Sequence, residues 1–140
     1  MKKRTVELIN ELKECTAIER YIEINSEQFI DCTLAEYINE LMVEKGMRKI
    51  DVVKSSRLSE VYTYQIIAGM KKPDREKILC IAFALTASIE EANRLLRTGG
   101  KAELYAKSKR DSILIFALDR KLSLDETNDI LFELGQDVLG

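Results

Sequence analysis

The chain has 140 residues, 46% of them hydrophobic and 33% charged, enough apolar material for a core and too evenly mixed in charge for a disordered tail. Six Gly and one Pro argue against a turn-rich all-β fold. The absence of His removes the commonest general base and the commonest zinc ligand, so Ser-His and Cys-His catalysis and most zinc sites are excluded.

Apolar residues recur at helical spacing along nearly the whole chain, with no convincing alternating strand, which predicts an all-α fold. The first helix is expected over about 4–21, with Val6, Ile9, Leu12, Cys15 and Ile22 on one face, punctuated by Ile24-Asn25-Ser26. Thr33 with Glu36 three residues on reads as a capping box, opening a helix that carries Leu34, Tyr37, Ile38, Leu41 and Met42 and stops at Gly46. A short helix over about 48–55 turns Ile50, Val52 and Val53 inward. Ser59 caps the next, 60–68, which Gly69 ends. Pro73 falls in the first turn of a strongly apolar helix over about 74–85, and Ser88 caps another that reaches Leu96 before Gly99-Gly100.

The last third reads as a degenerate copy of what precedes it. At an offset of 35 residues Arg75, Ile78, Leu79, Ala82, Ser88, Asn93, Leu96 and Gly100 fall on Arg110, Ile113, Leu114, Ala117, Ser123, Asn128, Leu131 and Gly135. Each copy is a helical hairpin that cannot bury its apolar face alone, so the second is expected to extend the helical core. Cys15, Cys32 and Cys80 are odd in number and widely spaced, with no CxxC, so neither a metal knuckle nor a disulfide framework is expected. No apolar run of membrane-spanning length occurs, and the reading is a cytoplasmic chain with reduced thiols.

Charge is unevenly distributed: net −5 over residues 1–44, +5 over 45–77 and −2 over 78–140. The basic middle holds the informative segment, two short helices around Leu58-Ser59 followed by Tyr62-x-Tyr64-Gln65-Ile66-x-x-Gly69-x-x-x-Pro73. With the preceding Gly46 and Val52-Val53, and the helices that follow to about residue 98, this pattern resembles the lambda-repressor-like (Cro/XRE-type) helix-turn-helix family. The resemblance implies a five-helix core over residues 31–100, with an N-terminal amphipathic helix over 1–30 and a C-terminal helical hairpin over 101–140. It implies a transcriptional regulator that places the helix at about 60–68 in the major groove of double-stranded DNA and acts as a homodimer.

Carried onto this sequence, the resemblance puts Glu60, Val61, Tyr64 and Gln65 at base-reading positions. Gln can pair with adenine, Val can meet a thymine methyl, and Glu can accept from cytosine N4. Arg48, Lys49, Arg57, Lys71, Lys72 and Arg75 are the expected phosphate contacts. Thr63 and Ile66 fall on the buried face. The family's turn carries Gly where Arg57 stands, so either Arg57 adopts a left-handed conformation at roughly 1 kcal/mol or the turn differs. Lys107-Ser108-Lys109-Arg110 is a second basic cluster, read first as the solvated start of a helix and alternatively as an extension of a phosphate-contacting face. No phosphate-binding loop or nucleophile motif occurs, and no catalysis, cofactor or metal is expected. The competing reading is a protein-interaction module, antitoxin-like or adaptor, that keeps the helix-turn-helix core without binding DNA.

Overall fold

A computed structural model describes residues 3–25 and 32–140, and among them it contains nine helices and no strand. They fall into two units, 1–31 and 32–140. Ser26 and the boundary expected near residues 30–31 lie outside the described residues, as do Met1 and Lys2.

The first unit contains α1 (Thr5–Glu14) and α2 (Ile18–Ile24) where one helix was expected. The chain leaves the helical region at Cys15, with φ −72° and ψ 146°, and is still extended at Ala17. The two helices are held by polar groups: Lys3 Nζ donates to Glu11 and Asn25 at 2.6 Å each, and Asn25 Nδ2 donates to Glu11 at 2.8 Å. Among the described residues of this unit only Tyr21 and Asn25 are buried, whereas Val6, Ile9, Leu12, Ile18, Ile22 and Ile24 are exposed.

The second unit runs α3 (Leu34–Lys45), α4 (Lys49–Ser56), α5 (Glu60–Ile67), α6 (Arg75–Ala84), α7 (Ile89–Thr98), α8 (Lys109–Asp119) and α9 (Leu124–Glu133). Local chemistry explains the boundaries. Thr33 and Glu36 form the expected reciprocal cap of α3, and Gly46 closes it at φ 63°. Asp74 caps α6, its carboxylate accepting the Lys77 N–H at 3.0 Å, and Pro73 lies just before that cap and not in the first turn. A carboxylate can satisfy an orphan N–H, which a proline ring cannot do.

α6 is apolar on every side, and Ile78 through Leu85 are all buried, so the helix runs through the core with α4, α7 and α9 against it. Burying each large aliphatic side chain there contributes about 1.5–3 kcal/mol. Burial pushes the Cys80 thiol up to about 11, so it acts as a small apolar core side chain.

The repeat suggested by the sequence extends to the hydrogen bonds. Ser88 with Glu91 and Ser123 with Glu126 form equivalent capping boxes. Thr86 and Lys121 both take positive φ at the hairpin turns, and Gly100 and Gly135 both sit at φ 73°. Asn93 Oδ1 accepts the Leu104 N–H at 2.9 Å, as Asn128 Oδ1 accepts that of Leu139 at 2.8 Å. Arg75 Nε donates to the Ala102 carbonyl at 3.0 Å, as Arg110 Nε does to that of Asp137 at 2.9 Å.

The carboxylate partners are exchanged between the copies. Arg75 pairs with Asp111 at 2.7 Å and Arg110 with Glu76 at 2.6 Å, and Glu76 and Asp111 are themselves equivalent positions. α6 packs on α9 as α7 packs on α8. Such reciprocity is the pattern of a two-fold interface and not of head-to-tail stacking. The second hairpin thus completes the core, as expected, and locks the N-terminus of α6 in place.

Candidate nucleic-acid interface

α5 begins at Ser59, whose hydroxyl accepts the Tyr62 N–H at 3.2 Å. Its inner face is Thr63, Ile66 and Ile67, each at most 2% exposed, and the Thr63 hydroxyl donates back to the Ser59 carbonyl at 2.8 Å. The C-terminus is held by Asn39 of α3, whose amide donates to the Ile67 carbonyl at 3.0 Å. Gly69 then turns the chain at φ 80°, with room for a Cβ only at 3.4 Å from that of Ala35. These contacts fix the rotation of α5 about its axis.

The opposite face is therefore outward. Glu60 and Val61 are exposed, Val61 at 69%, while Tyr64 and Gln65 are half-buried one turn further on. Positions 60, 61, 64 and 65 lie within one arc of a helix. Among the described residues no hydrogen bond engages the Tyr64 hydroxyl or the Gln65 amide. Tyr62 packs half-buried against the core, with Lys77 Nζ 5.8 Å from its ring centroid.

The expected phosphate contacts divide into two groups. Lys49, Lys71 and Lys72 are exposed, and among the described residues none of them has an ion-pair partner; the same holds for Lys54. The three arginines are engaged within the protein. Arg48 pairs with Asp51 across an exposed turn at 3.3 Å. Arg57 does adopt the left-handed conformation, at φ 62°, and its guanidinium makes a two-pronged pair with Asp125 on α9, Nε lying 3.1 Å from Oδ1. That bond from Arg57 holds the exposed Asp125 carboxyl below its usual range.

Arg75 is committed most fully. Its donors reach both Asp111 oxygens and the carbonyls of Ala102 and Glu103, all within 3.2 Å. Burial alone would raise the Asp111 carboxyl, but the bonds from Arg75 and from the Tyr105 N–H outweigh it and leave it below its usual range. Arg75 thus anchors the loop at 101–108, a role that its place beside Lys71 and Lys72 in the sequence does not disclose. The equivalence of Arg75 and Arg110 at the 35-residue offset was the available signal.

Among the described residues no three Cys, Asp or Glu side chains converge to hold a metal, and no helix is long and apolar enough to cross a membrane. No protein-family model, curated protein or solved structure matches the chain.

Proposed function

We propose that the chain is a sequence-specific DNA-binding transcriptional regulator of the lambda-repressor-like type, with α3–α7 as its five-helix core and α5 as the helix that enters the major groove. The observation that carries this reading is the outward arc of Glu60, Val61, Tyr64 and Gln65, flanked by the unpaired Lys49, Lys54, Lys71 and Lys72. An α-helix fits the major groove, and Gln65, Val61 and Glu60 each have a partner on a base edge or methyl. The lysines supply the sequence-independent attraction and fix register on the backbone.

The exposed apolar residues of α1 and α2 are the surface on which two copies of the chain would pair. A unit so small, with only Tyr21 and Asn25 buried among its described residues, gains stability by association. Two chains would present two recognition helices to two half-sites.

Charge reversal at Lys49, Lys71 and Lys72 together is expected to weaken binding to every duplex and to flatten its salt dependence by about 2 to 3 in logarithmic slope. Titration of a random duplex at several salt concentrations measures both, and an unchanged slope would count against this docking face. The second reading, a protein-interaction module, is favoured by the exposure of Val61 and Met70, 69% and 71%, on and just beyond α5. It predicts no retention of random duplex at about 50 mM salt, together with co-purification of a protein partner.

A further inference from the structure

We infer that the loop from Lys101 to Ser108, with the first residue of α8, forms a second DNA-backbone contact beside Lys71 and Lys72, in which Lys101, Lys107, Lys109 and the Tyr105 hydroxyl meet phosphate oxygens. The inference rests on the DNA-binding reading and adds to it a surface outside the helix-turn-helix.

The loop has no regular secondary structure, yet its backbone is tied at nearly every residue. The carbonyls of Ala102 and Glu103 accept from Arg75, the Leu104 N–H donates to Asn93, the Tyr105 N–H donates to Asp111, and the Tyr105 carbonyl accepts the Ser108 N–H at 2.9 Å. A loop bonded in this way presents its side chains with little ordering cost on binding, as a pre-organised surface does. What it presents is Tyr105, 59% exposed, and the exposed Lys101, Lys107 and Lys109.

The placement of the loop follows from its anchors. Arg75 opens α6, and Lys71 and Lys72 lie just upstream of it across the buried Pro73. Asp74, the cap between them, has its carboxyl held below the usual range first by the Lys77 N–H and also by the field of Lys101. Lys101 directly precedes Ala102, whose carbonyl accepts from Arg75 at 3.0 Å, so it lies close to the start of α6 and the two basic segments adjoin.

Electrostatic balance sets the sign of the partner. Four carboxylates in this neighbourhood already have a cation, Asp74 with Lys77, Glu76 with Arg110, Glu103 with Arg97 and Asp111 with Arg75, all within 3.2 Å, while Asp137 beside Arg110 has none among the described residues. Among the described residues, no ion pair engages Lys71, Lys72, Lys101, Lys107 or Lys109. The surface thus keeps a local positive potential although the chain as a whole is at −2, and over about 8 Å at physiological salt the local charge decides. Lysine and tyrosine side chains on a tied backbone suit phosphate oxygens and carry no base code.

The test is fluorescence titration of the full chain with a labelled random duplex at several salt concentrations, for the parent chain, for K101Q/K107Q/K109Q and for K71Q/K72Q. All five lysines are exposed and unpaired, so the variants should keep their helical content and melting behaviour. The loop variant should lose about 2 to 3 in the logarithmic salt slope and at least about tenfold in affinity for every duplex. Acylation of free and DNA-bound protein provides a second readout: Lys101, Lys107 and Lys109 should be protected by the duplex together with Lys71 and Lys72. If the parent and the K71Q/K72Q variant behave as proposed while the loop variant keeps the parent slope and its lysines stay reactive, the loop contact is overturned and the regulator reading stands. If the parent shows no salt-dependent binding, both fall.

Discussion

Ile81 of α6 and Phe116 of α8 occupy equivalent positions in two hairpins whose second helices carry the same capping box and which share the same turns and the same arginine anchors. The first is fully buried, whereas the second is 45% exposed. The difference does not come from the hairpins themselves. α6 has α4, α7 and α9 packed against it, whereas no helix of the second unit covers α8 in the way α4 covers α6. Local sequence therefore decides where each helix starts and stops, and topology decides which faces are paid for by burial. The enclosed copy ties the loop at 101–108 through Arg75 and Asn93, whereas the open copy carries exposed Phe116 and Phe132.

The contrast can be broken by truncation. Ile81→Ala removes a fully buried side chain from a helix packed on several sides and should cost about 2–5 kcal/mol, whereas Phe116→Ala should cost less than about 1 kcal/mol. Denaturant melts of the two variants measure this, and equal losses would mean that α8 is covered as fully as α6.

A smaller effect separates the exchanged ion pairs. Arg75→Met leaves Asp111, its side chain only 9% exposed, without its partner, and should cost about 2 kcal/mol. Arg110→Met frees Glu76, which at 42% can turn to solvent, and should cost about 1 kcal/mol or less. If the order were reversed, the asymmetry between the copies would lie elsewhere.

The smallest effect is a pH dependence. Because Asp111 ionises in the folded chain below its ordinary value of 3.8, the unfolded chain binds more protons through that range. Its contribution is fully present above that value and is lost as the pH falls through the folded one. Stability should therefore decline below about pH 4, and Asp111→Asn should flatten part of that decline in acid melts.

The helices of the second unit were legible because they are capped by short-range chemistry: Thr33 and Glu36, Ser59, Ser88 and Gly46 each act within a few residues of sequence. The repeat was legible for the same reason, as matched side chains at a fixed offset. The break between α1 and α2 was not, since Cys15-Thr16-Ala17 contains neither Gly nor Pro and the joining contacts, Lys3 and Asn25 to Glu11, span the hairpin. At the proposed interface the burial of Thr63 and Ile66, and with it the outward arc of α5, was expected from the family resemblance of the segment around Leu58-Ser59. The fate of the arginines did not. Arg57 finds Asp125 and Arg75 finds Asp111 across long sequence separations, and a single sequence carries no record of such pairings. Those two side chains looked like free cations and prove to be structural links, while the lysines around them are left unpaired.

The central claim, that the leading turns of α5 read bases, is tested most directly by selecting bound fragments from random duplex DNA with the parent chain and with Gln65→Ala. The account predicts enrichment of a common sequence with two-fold symmetry by the parent, and loss of preference at one position per half-site in the variant, worth about 1–3 kcal/mol in discrimination. Recovery of fragments without any shared sequence, or of the same sequence with equal preference by both proteins, would contradict it.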